Sequence, residues 1–282
     1  MSRIAYVNGQ YIPHRRAAVH VEDRGYQFAD GVYEVIAIKR GRMVDLKPHF
    51  ERLERSLGEL KIAEPMSRAA LTFVLEQVCR RNRIRDGIVY LQITRGVAPR
   101  DHQFPADPKP AVVATARNAA SKAPLRETGV SVVSIPDIRW KRCDIKSVSL
   151  LPNVLGKQIA VEAGAYEAWQ VDTEGMVTEG TATNAWIVTN DGEIVTRQAG
   201  EAILSGVTRL AVRALAKQDG LTLIERPFSV DEAKAAKEVF LTSTTSNVMP
   251  IIEIDGAVVG NGHPGIVTQQ LAALYERFAD GG

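Results

Sequence analysis

Alternating apolar and polar residues predict the strands of the first part of the chain. "AYVNGQYI" (5–12) alternates around Asn8-Gly9, a dipeptide that favours a two-residue hairpin turn. "GVYEVIAIKRGRMVDL" (31–46) indicates a second hairpin that turns near Arg40-Gly41. "GIVYLQITRG" (87–96) and "PAVVATARN" (110–118) have the apolar, β-branched character of two further strands.

Apolar residues at helical spacing predict two helices between these strands. In "PHFERLERSLGEL" (48–60), the apolar positions Phe50, Leu53, Leu57 and Leu60 recur every three or four residues, with Pro48 near the first turn. The next helix repeats this spacing with Leu71, Val74, Leu75 and Val78. Each helix therefore has one apolar face.

The second part of the chain mixes strands with helices in another order. "GVSVVSIPDI" (129–138) is a strand, "GVTRLAVRALAKQDG" (206–220) is a helix ended by glycine, and Ser229 with Glu232 forms a capping box. The strands "EVFLTSTTS" (238–246) and "VMPIIEIDGAVVG" (248–260) follow, and the latter has a hairpin at Asp255-Gly256. Strands and helices without a regular βαβ alternation indicate the α+β class.

A polar stretch of small residues predicts the domain boundary. "NAASKAPLRETG" (118–129) contains proline and glycine and interrupts the apolar periodicity. We therefore predict an N-terminal α/β domain over 1–119, an interdomain linker over 118–129 and a C-terminal domain over 125–282.

Composition excludes several classes of partner. The 282 residues are 45% hydrophobic and 24% charged, with 35 Lys and Arg against 33 Asp and Glu, a net charge of +2 without long runs of one sign. This argues against nucleic acid or a membrane surface as the main partner, and no window approaches eighteen apolar residues. Two cysteines, Cys79 and Cys143, are too few for a disulfide framework or a zinc site, so we predict a cytoplasmic protein without a metal.

Lys146 stands apart from its neighbouring lysines. Lys141 and Lys157 have polar neighbours, whereas Lys146 follows Ile145 and precedes the largely apolar run "SVSLLPNVL" (147–155). A lysine beside an apolar run more often extends its amine into solvent than performs chemistry. The alternative is a half-buried amine with a chemical task.

Polar residues are concentrated in five other stretches, which are "EDRGYQFADGVYEV" (22–35), "TRGVAPRDHQFP" (94–105), "TEGTATNAW" (178–186), "LSGVTR" (204–209) and "TSTTSN" (242–247). Each has an ordinary explanation as a solvated loop, a turn or a helix cap. Together they supply the groups of a pyridoxal-phosphate site. Lys146 offers an amine whose neutral form would be favoured by the nearby cations Arg139, Lys141 and Arg142. Glu179 offers a carboxylate for the pyridine nitrogen, and a phosphate site is offered by Arg52, the helix start at Gly206 and the hydroxyls of "TSTT".

These stretches, with "DIRWKRCDIKS" (137–147), resemble in order those of the D-amino-acid aminotransferases. That family belongs to the fold-type IV pyridoxal-phosphate enzymes, with the branched-chain aminotransferases and aminodeoxychorismate lyase. The resemblance runs from about residue 20 to about residue 255. It implies an α+β fold with a small α/β N-terminal domain and a larger C-terminal domain that has a barrel-like sheet and binds the cofactor. It also implies transamination between a D-amino acid, such as D-alanine or D-glutamate, and a 2-oxoacid in a homodimer.

The resemblance further implies the roles of individual residues. Lys146 carries the cofactor as an internal aldimine and moves the proton, and Glu179 binds the pyridine nitrogen. The other cofactor contacts are Arg52, Leu204, Val207, Thr208 and Thr244. Tyr33, Arg100 and His102 hold the substrate carboxylate, and the Arg100 loop is expected to reach the partner subunit's site.

One departure and three hypotheses accompany this interpretation. Relatives often have a serine where this chain has Ala182, so a hydroxyl near the cofactor is missing. The alternatives to a D-amino-acid transaminase are a branched-chain L-amino-acid transaminase or an aminodeoxychorismate lyase on the same fold, and a non-catalytic binding protein. The Arg100/His102 pair disfavours the first two, and the presence of Lys146 and Glu179 disfavours the last.

Overall fold

The computed structural model describes residues 4–281, and the chain divides into two compact units. Unit 1 comprises 1–120 together with Ile145–Ser149, and unit 2 comprises 121–144 and 150–282. The segment Ile145–Ser149 belongs to unit 1 because it packs on residues that lie more than a hundred positions earlier in the chain.

Unit 1 is built on a six-stranded antiparallel sheet in the order β2-β1-β6-β5-β3-β4. Its strands are β1 (Ile4–Val7), β2 (Gln10–Pro13), β3 (Gly31–Lys39), β4 (Arg42–Met43), β5 (Gly87–Thr94) and β6 (Ala111–Asn118).

Two predicted hairpins of unit 1 are confirmed. Asn8 and Gly9 connect β1 to β2, and Arg40 and Gly41 connect β3 to β4, all four with positive φ. Two consecutive positive-φ residues form the turn type whose twist matches that of the flanking strands.

Over residues 4–120, three α-helices and one 3-10 turn complete unit 1. They are the turn His14–Arg16, α1 (Arg24–Phe28), α2 (Leu46–Glu59) and α3 (Arg68–Arg81). The predicted helices are α2 and α3, and their apolar faces cover one face of the sheet in a core that includes Leu53, Leu57, Leu75, Ile36 and Leu91. The opposite face of β3 and β5 carries Tyr33, Tyr90 and Gln92, because side chains alternate along a strand.

Unit 2 contains a nine-stranded sheet and five helices within the described residues. The strands are β7 (Val130–Pro136), β8 (Glu167–Val171), β9 (Val177–Gly180), β10 (Asn184–Val188), β11 (Ile194–Thr196), β12 (Leu223–Glu225), β13 (Glu238–Ser243), β14 (Asn247–Ile254) and β15 (Ala257–Val258). The helices are α4 (Ala123–Thr128), α5 (Leu151–Glu162), α6 (Val207–Gln218), α7 (Val230–Ala235) and α8 (Ile266–Asp280).

The sheet of unit 2 curls into a half-barrel. Its order is β12-β11-β10-β13-β14-β7-β8-β9, with β15 added to β14, so β9 is an edge strand far from β10 in the ladder. Residues 181–183 alone connect these two strands. A connection this short requires the sheet to curl until β9 approaches β10, which confirms the expected barrel-like sheet of an α+β fold.

Local signals in unit 2 are also confirmed. The Ser229 side chain accepts a hydrogen bond from the Glu232 amide at the start of α7, Gly220 has a positive φ just after α6, and Asp255-Gly256 forms the turn between β14 and β15. The stretch at 118–129 contains the six-residue helix α4. Across residues 4–281, no helix has the length and apolarity needed to cross a membrane.

Candidate functional site

Backbone hydrogen bonds hold Lys146 at the edge of β3. The short strand β4 pairs with β3 only at Ile38 and Lys39, which leaves the other end of that edge open. There the Tyr33 amide donates to the Lys146 carbonyl oxygen at 3.0 Å, and the Val148 amide donates to the Gly31 carbonyl oxygen at 3.0 Å. The main chain of Lys146 is therefore held by antiparallel pairing of residues 146–148 with the edge of β3.

The side chain of Lys146 lies over an aromatic ring. Its Nζ is 4.2 Å from the centre of the Tyr33 ring, and the residue is half-buried. Its own amide donates to Ser56 Oγ of α2 at 3.2 Å. By contrast, Lys141 is exposed and Lys157 donates to the Tyr166 carbonyl oxygen. Of the three lysines considered from the sequence, Lys146 is the half-buried amine beside the Tyr33 ring.

Arg52 is engaged by a buried carboxylate. Its Nε and Nη2 donate to the two oxygens of Glu34 at 2.8 and 2.7 Å, and His49 Nδ1 lies 2.6 Å from the same carboxylate. Burial alone would raise the pKa of Glu34, but the charge and hydrogen bonds of Arg52, with the hydrogen bond of His49, lower it to about 2. Burial lowers the pKa of His49, so a neutral imidazole donates to an ionised carboxylate.

Glu179 lies at the end of β9 among convergent donors. Arg139 donates to Oε1, Asn184 Nδ2 donates to Oε2 at 3.0 Å, and the Leu204 amide lies 3.1–3.2 Å from both oxygens. Asn184 begins β10, so the Glu179–Asn184 bond spans the gap where the curled sheet nearly closes. Asn184 also donates to the Leu204 carbonyl oxygen at 2.9 Å, which ties the loop before α6 to the same place.

Arg139, which donates to Glu179, also binds a second carboxylate. Arg139 Nη2 also donates to Asp137 at 2.7 Å, and Thr178 donates its hydroxyl to the same carboxylate at 2.7 Å. Burial alone would lower the pKa of Arg139, but the hydrogen bond to Asp137 and the charge of Glu179 raise it. One guanidinium group thus serves two carboxylates.

The connection between β9 and β10 is held by a second buried acid. Glu167 accepts from the Thr181 hydroxyl at 2.5 Å, and the Thr183 hydroxyl and the Ala182 amide lie 3.3 Å from its carboxylate. Ala182 contributes its backbone amide to this network.

Two sets of unengaged polar groups lie elsewhere in unit 2. Gly206 precedes α6 without a side-chain cap, and within residues 4–281 the amides of Val207 and Thr208 have no hydrogen-bond acceptor. Thr244 lies in the turn between β13 and β14, where Ser246 is held by Tyr166 at 2.7 Å and by Lys122 at 3.3 Å. Free amides at a helix start favour an anion.

Arg100 and His102 lie in an exposed loop beside Phe28. The Arg100 guanidinium is 4.7 Å from the centre of the Phe28 ring, and the His102 and Phe28 ring centres are 5.4 Å apart. The structure thus brings Tyr33 together with Lys146, and Arg100 together with His102. Over the described part of the chain, no hydrogen bond or ring contact joins one pair to the other.

Several neighbours of these residues were not found from the sequence. Arg139 and Arg142 were interpreted as cations that depress the lysine pKa, but their charges are paired, with Asp137 and Glu179 and with Asp144 respectively. Glu34 and Asn184 carried no recognisable signal. Glu34 lies within an alternating strand, and Asn184 at the start of an apolar one.

The sequence pattern described as amino-transferase class IV matches residues 31–254. The chain belongs to the class IV aminotransferases. This class IV aminotransferase is 43% identical over 269 residues to the D-alanine aminotransferase of Bacillus licheniformis, a match that covers 95% of this chain and 94% of that protein.

Solved structures with the same fold include enzymes that catalyse different reactions. The branched-chain aminotransferase of the thermophilic archaeon Thermoproteus uzoniensis, solved with norvaline, superposes with a TM-score of 0.87 at 26% identity, covering 100% of this chain and 96% of that one. The 4-amino-4-deoxychorismate lyase of Pseudomonas aeruginosa superposes with a TM-score of 0.83 at 26% identity, covering 97% and 98%. The fold is therefore fold-type IV, and the fold alone does not select among these reactions.

Proposed function

We propose that this class IV aminotransferase moves the amino group between a D-amino acid, such as D-alanine or D-glutamate, and a 2-oxoacid, with pyridoxal 5'-phosphate as cofactor. One observation carries the proposal, the 43% identity to a D-alanine aminotransferase over nearly the full length of both chains. The presence of Lys146, Glu179, Arg100 and His102 supports it.

The charges and free donors of the chain fit this cofactor. When bound, pyridoxal phosphate withdraws electrons from the substrate Cα through its protonated ring. The Glu179 carboxylate would attract a protonated ring nitrogen, and Asn184 with the Leu204 amide fixes that carboxylate. We assign the cofactor contacts to Lys146, Glu179, Arg52, Leu204, Val207, Thr208 and Thr244.

The phosphate is assigned mainly to the helix start. The amides of Val207 and Thr208 are free donors at the positive end of α6, and Thr244 adds a hydroxyl. Since the charge of Arg52 is compensated by Glu34, we expect Arg52 to contribute hydrogen bonds more than net charge.

Lys146 is proposed to bind the cofactor covalently and to carry the proton to and from the substrate Cα. Its backbone is fixed by β3 and its amine lies over the Tyr33 ring, which together limit where Nζ can move. Borohydride reduction followed by peptide mapping should label Lys146. Label on Lys141 or Lys157 would contradict the assignment.

Arg100, His102 and the Tyr33 hydroxyl are proposed to bind the substrate α-carboxylate. A transaminase must hold the Cα–H bond perpendicular to the cofactor ring on the side of the lysine. If the Cα–H bond keeps this direction, the carboxylate of an L-amino acid points where the side chain of the D-enantiomer points, and the reverse. The side of the site on which a cation binds the carboxylate therefore determines whether the D- or the L-enantiomer reacts. Arg100 can bind a carboxylate with two hydrogen bonds.

A second candidate reaction follows from the neighbours that share the fold. Their identities of 26% are well below that of the D-alanine aminotransferase, but they include a branched-chain aminotransferase and a lyase. Stopped-flow spectra of the first half-reaction separate the candidates. D-Alanine and D-glutamate should convert the cofactor much faster than their L-forms or L-leucine do. Conversion by L-leucine as fast as by D-alanine would overturn the D-specific proposal.

A homodimer is the proposed assembly, and the cytoplasm the proposed location. Leu151, Val154, Leu155 and Ile159 of α5 are each 47–69% exposed, and apolar side chains grouped in this way are typical of a protein interface. Both cysteines are unpaired, which fits a reducing compartment. Sedimentation equilibrium should give twice the chain mass, and Leu155→Lys should reduce it toward that of the monomer. A wild-type monomer would contradict the proposed assembly.

A further inference from the structure

We propose that Phe28 and Arg24 are positioning residues that hold the loop 97–104 in one conformation and thereby set how strongly Arg100 and His102 bind the substrate carboxylate. The inference rests on the proposed function, because it takes the carboxylate contact of Arg100 and His102 from there. It assigns a role to α1, whose residues have none in that function.

Main-chain contacts hold the start of the loop against residues 22–24. Asp23 and Val97 form an antiparallel bridge. The Arg24 amide donates to the Gly96 carbonyl oxygen at 2.9 Å, and the Ala98 amide donates to the Glu22 carbonyl oxygen at 3.3 Å. The first residues of the loop are therefore held by main-chain hydrogen bonds of the kind that join two antiparallel strands.

Arg24 ties down the middle of the loop. Its side chain is 4% exposed, its Nε donates to Asp30 at 2.8 Å, and its Nη1 donates to the Asp101 carbonyl oxygen at 2.6 Å. Asp101 lies between Arg100 and His102 in the chain. Because the Asp30 carboxylate orients the guanidinium group, the contact fixes the main chain at the point where the two cationic side chains begin.

The end of the loop is held by Arg95, which shares Asp30 with Arg24. Arg95 Nε and Nη2 donate to the Asp30 carboxylate at 2.7 and 2.9 Å, and its guanidinium carbon lies 3.6 Å from the centre of the Phe104 ring. Burial alone would raise the pKa of Asp30, but the hydrogen bonds from Arg95 and Arg24 lower it, so the carboxylate stays ionised.

Phe28 orients the side chains that the loop presents. Arg100 and Arg24 lie 4.7 and 4.8 Å from the centre of its ring, and His102 packs on it at 5.4 Å. In the described part of the chain, the exposed Arg100 guanidinium has no hydrogen bond or ion pair. The ring is therefore the group that restricts its directions, and a flexible arginine restricted before binding loses less entropy when the carboxylate arrives.

The test compares a substrate that has the carboxylate with one that lacks it. We would measure the first half-reaction of the holoenzyme in single turnovers with D-alanine and with D-alaninamide. Phe28→Leu should lower the apparent affinity for D-alanine by about two- to fivefold, the size of one cation–π contact at an exposed site. The limiting rate and the reaction with D-alaninamide should change little. Phe73→Leu, at an exposed position of α3, is the matched control and should change neither substrate.

A second variant keeps the positive charge of residue 24 but removes its planar guanidinium group. Arg24→Lys cannot bond to Asp30 and to the Asp101 carbonyl oxygen through one rigid group, so it should repeat the D-alanine defect. Equal losses with both substrates would reveal a general structural fault and overturn the proposal, as would an unchanged affinity for D-alanine in both variants. A wild-type enzyme that does not react with D-alanine would instead refute the proposed function.

Discussion

The buried pair of Glu34 and Arg52 permits a quantitative test of unit 1. The Glu34 carboxylate is 0% exposed, and its pKa is lowered from 4.5 to about 2. At 1.36 kcal/mol for each tenfold change in proton affinity, this drop corresponds to about 3 kcal/mol of stability at neutral pH. Glu34→Gln would also remove the carboxylate that pairs with the Arg52 charge, and breaking a buried ion pair typically costs about 3–5 kcal/mol.

The pH dependence of this effect has a definite sign. The folded-state pKa lies below the unfolded one, so the contribution is fully present above pH 4.5 and is lost as the pH falls toward 2. At pH 3.5 about 2 kcal/mol of it should remain, because the carboxyl is by then mostly protonated in the unfolded chain alone. The difference between wild type and Glu34→Gln should therefore shrink by more than about 1 kcal/mol between pH 7 and pH 3.5.

Hydrogen exchange measured by mass spectrometry is the suitable assay, because all three tryptophans lie in unit 2 and their fluorescence would report the wrong unit. Peptides of β3 and α2 in the cofactor-free protein should exchange roughly a hundredfold faster in Glu34→Gln at pH 7. The matched control is Glu54→Gln, since Glu54 pairs with Arg68 at the surface of α2. It should leave exchange nearly unchanged. A Glu34→Gln effect no larger than the control, or one independent of pH, would refute the reasoning.

Three further predictions concern single side chains. Glu179→Gln should lower turnover by orders of magnitude while the protein retains its cofactor, and near-normal turnover would show that another group acts on the ring nitrogen. Burial raises the pKa of Asp45 to about 6, so its ionised form destabilises the fold above that pH. Asp45→Asn should raise the melting temperature at pH 8 but not at pH 3.5, and an equal gain at both would contradict this. Tyr166→Phe should remove the hydrogen bond that holds Ser246 beside Thr244. In titrations of the apoprotein, binding of pyridoxal phosphate should weaken by about tenfold and binding of pyridoxal should not. Equal weakening of both ligands would contradict this prediction.

The elements that could be predicted are those defined by neighbouring residues. Asn8-Gly9 and Arg40-Gly41 predict their turns because few residues accept two successive positive φ angles. The helices α2 and α3 were predicted because each buries one apolar face against the sheet. The helix α5 was not predicted, because several of its apolar residues remain exposed and the amphipathic pattern is absent.

The site could be predicted as a set of residue types but not as an arrangement. The motif around Lys146 predicts its role, yet nothing in the sequence indicated that the lysine main chain pairs with Tyr33, more than a hundred positions earlier. Arg139 is a second example. Its nearness to Lys146 in sequence suggested that it acts on the lysine, but nothing in the sequence indicated its hydrogen bond to Glu179, forty positions away.

Three arginine–carboxylate clusters contain or hold residues of the proposed site, and they differ in their numbers of acidic and basic side chains. Glu34 and Arg52 carry one charge of each sign and lie beside a neutral His49. Glu179 and Asp137 share the single cation of Arg139. Arg24 and Arg95 share the single carboxylate of Asp30.

The latter two clusters contain unequal numbers of acidic and basic side chains. In the proposed site, the Glu179 carboxylate attracts a protonated ring nitrogen. The positive excess of the Asp30 cluster lies where Arg24 holds the loop of Arg100 and His102, and it suits a carboxylate. The signs of these two charges therefore agree with an amino acid substrate and a pyridine cofactor.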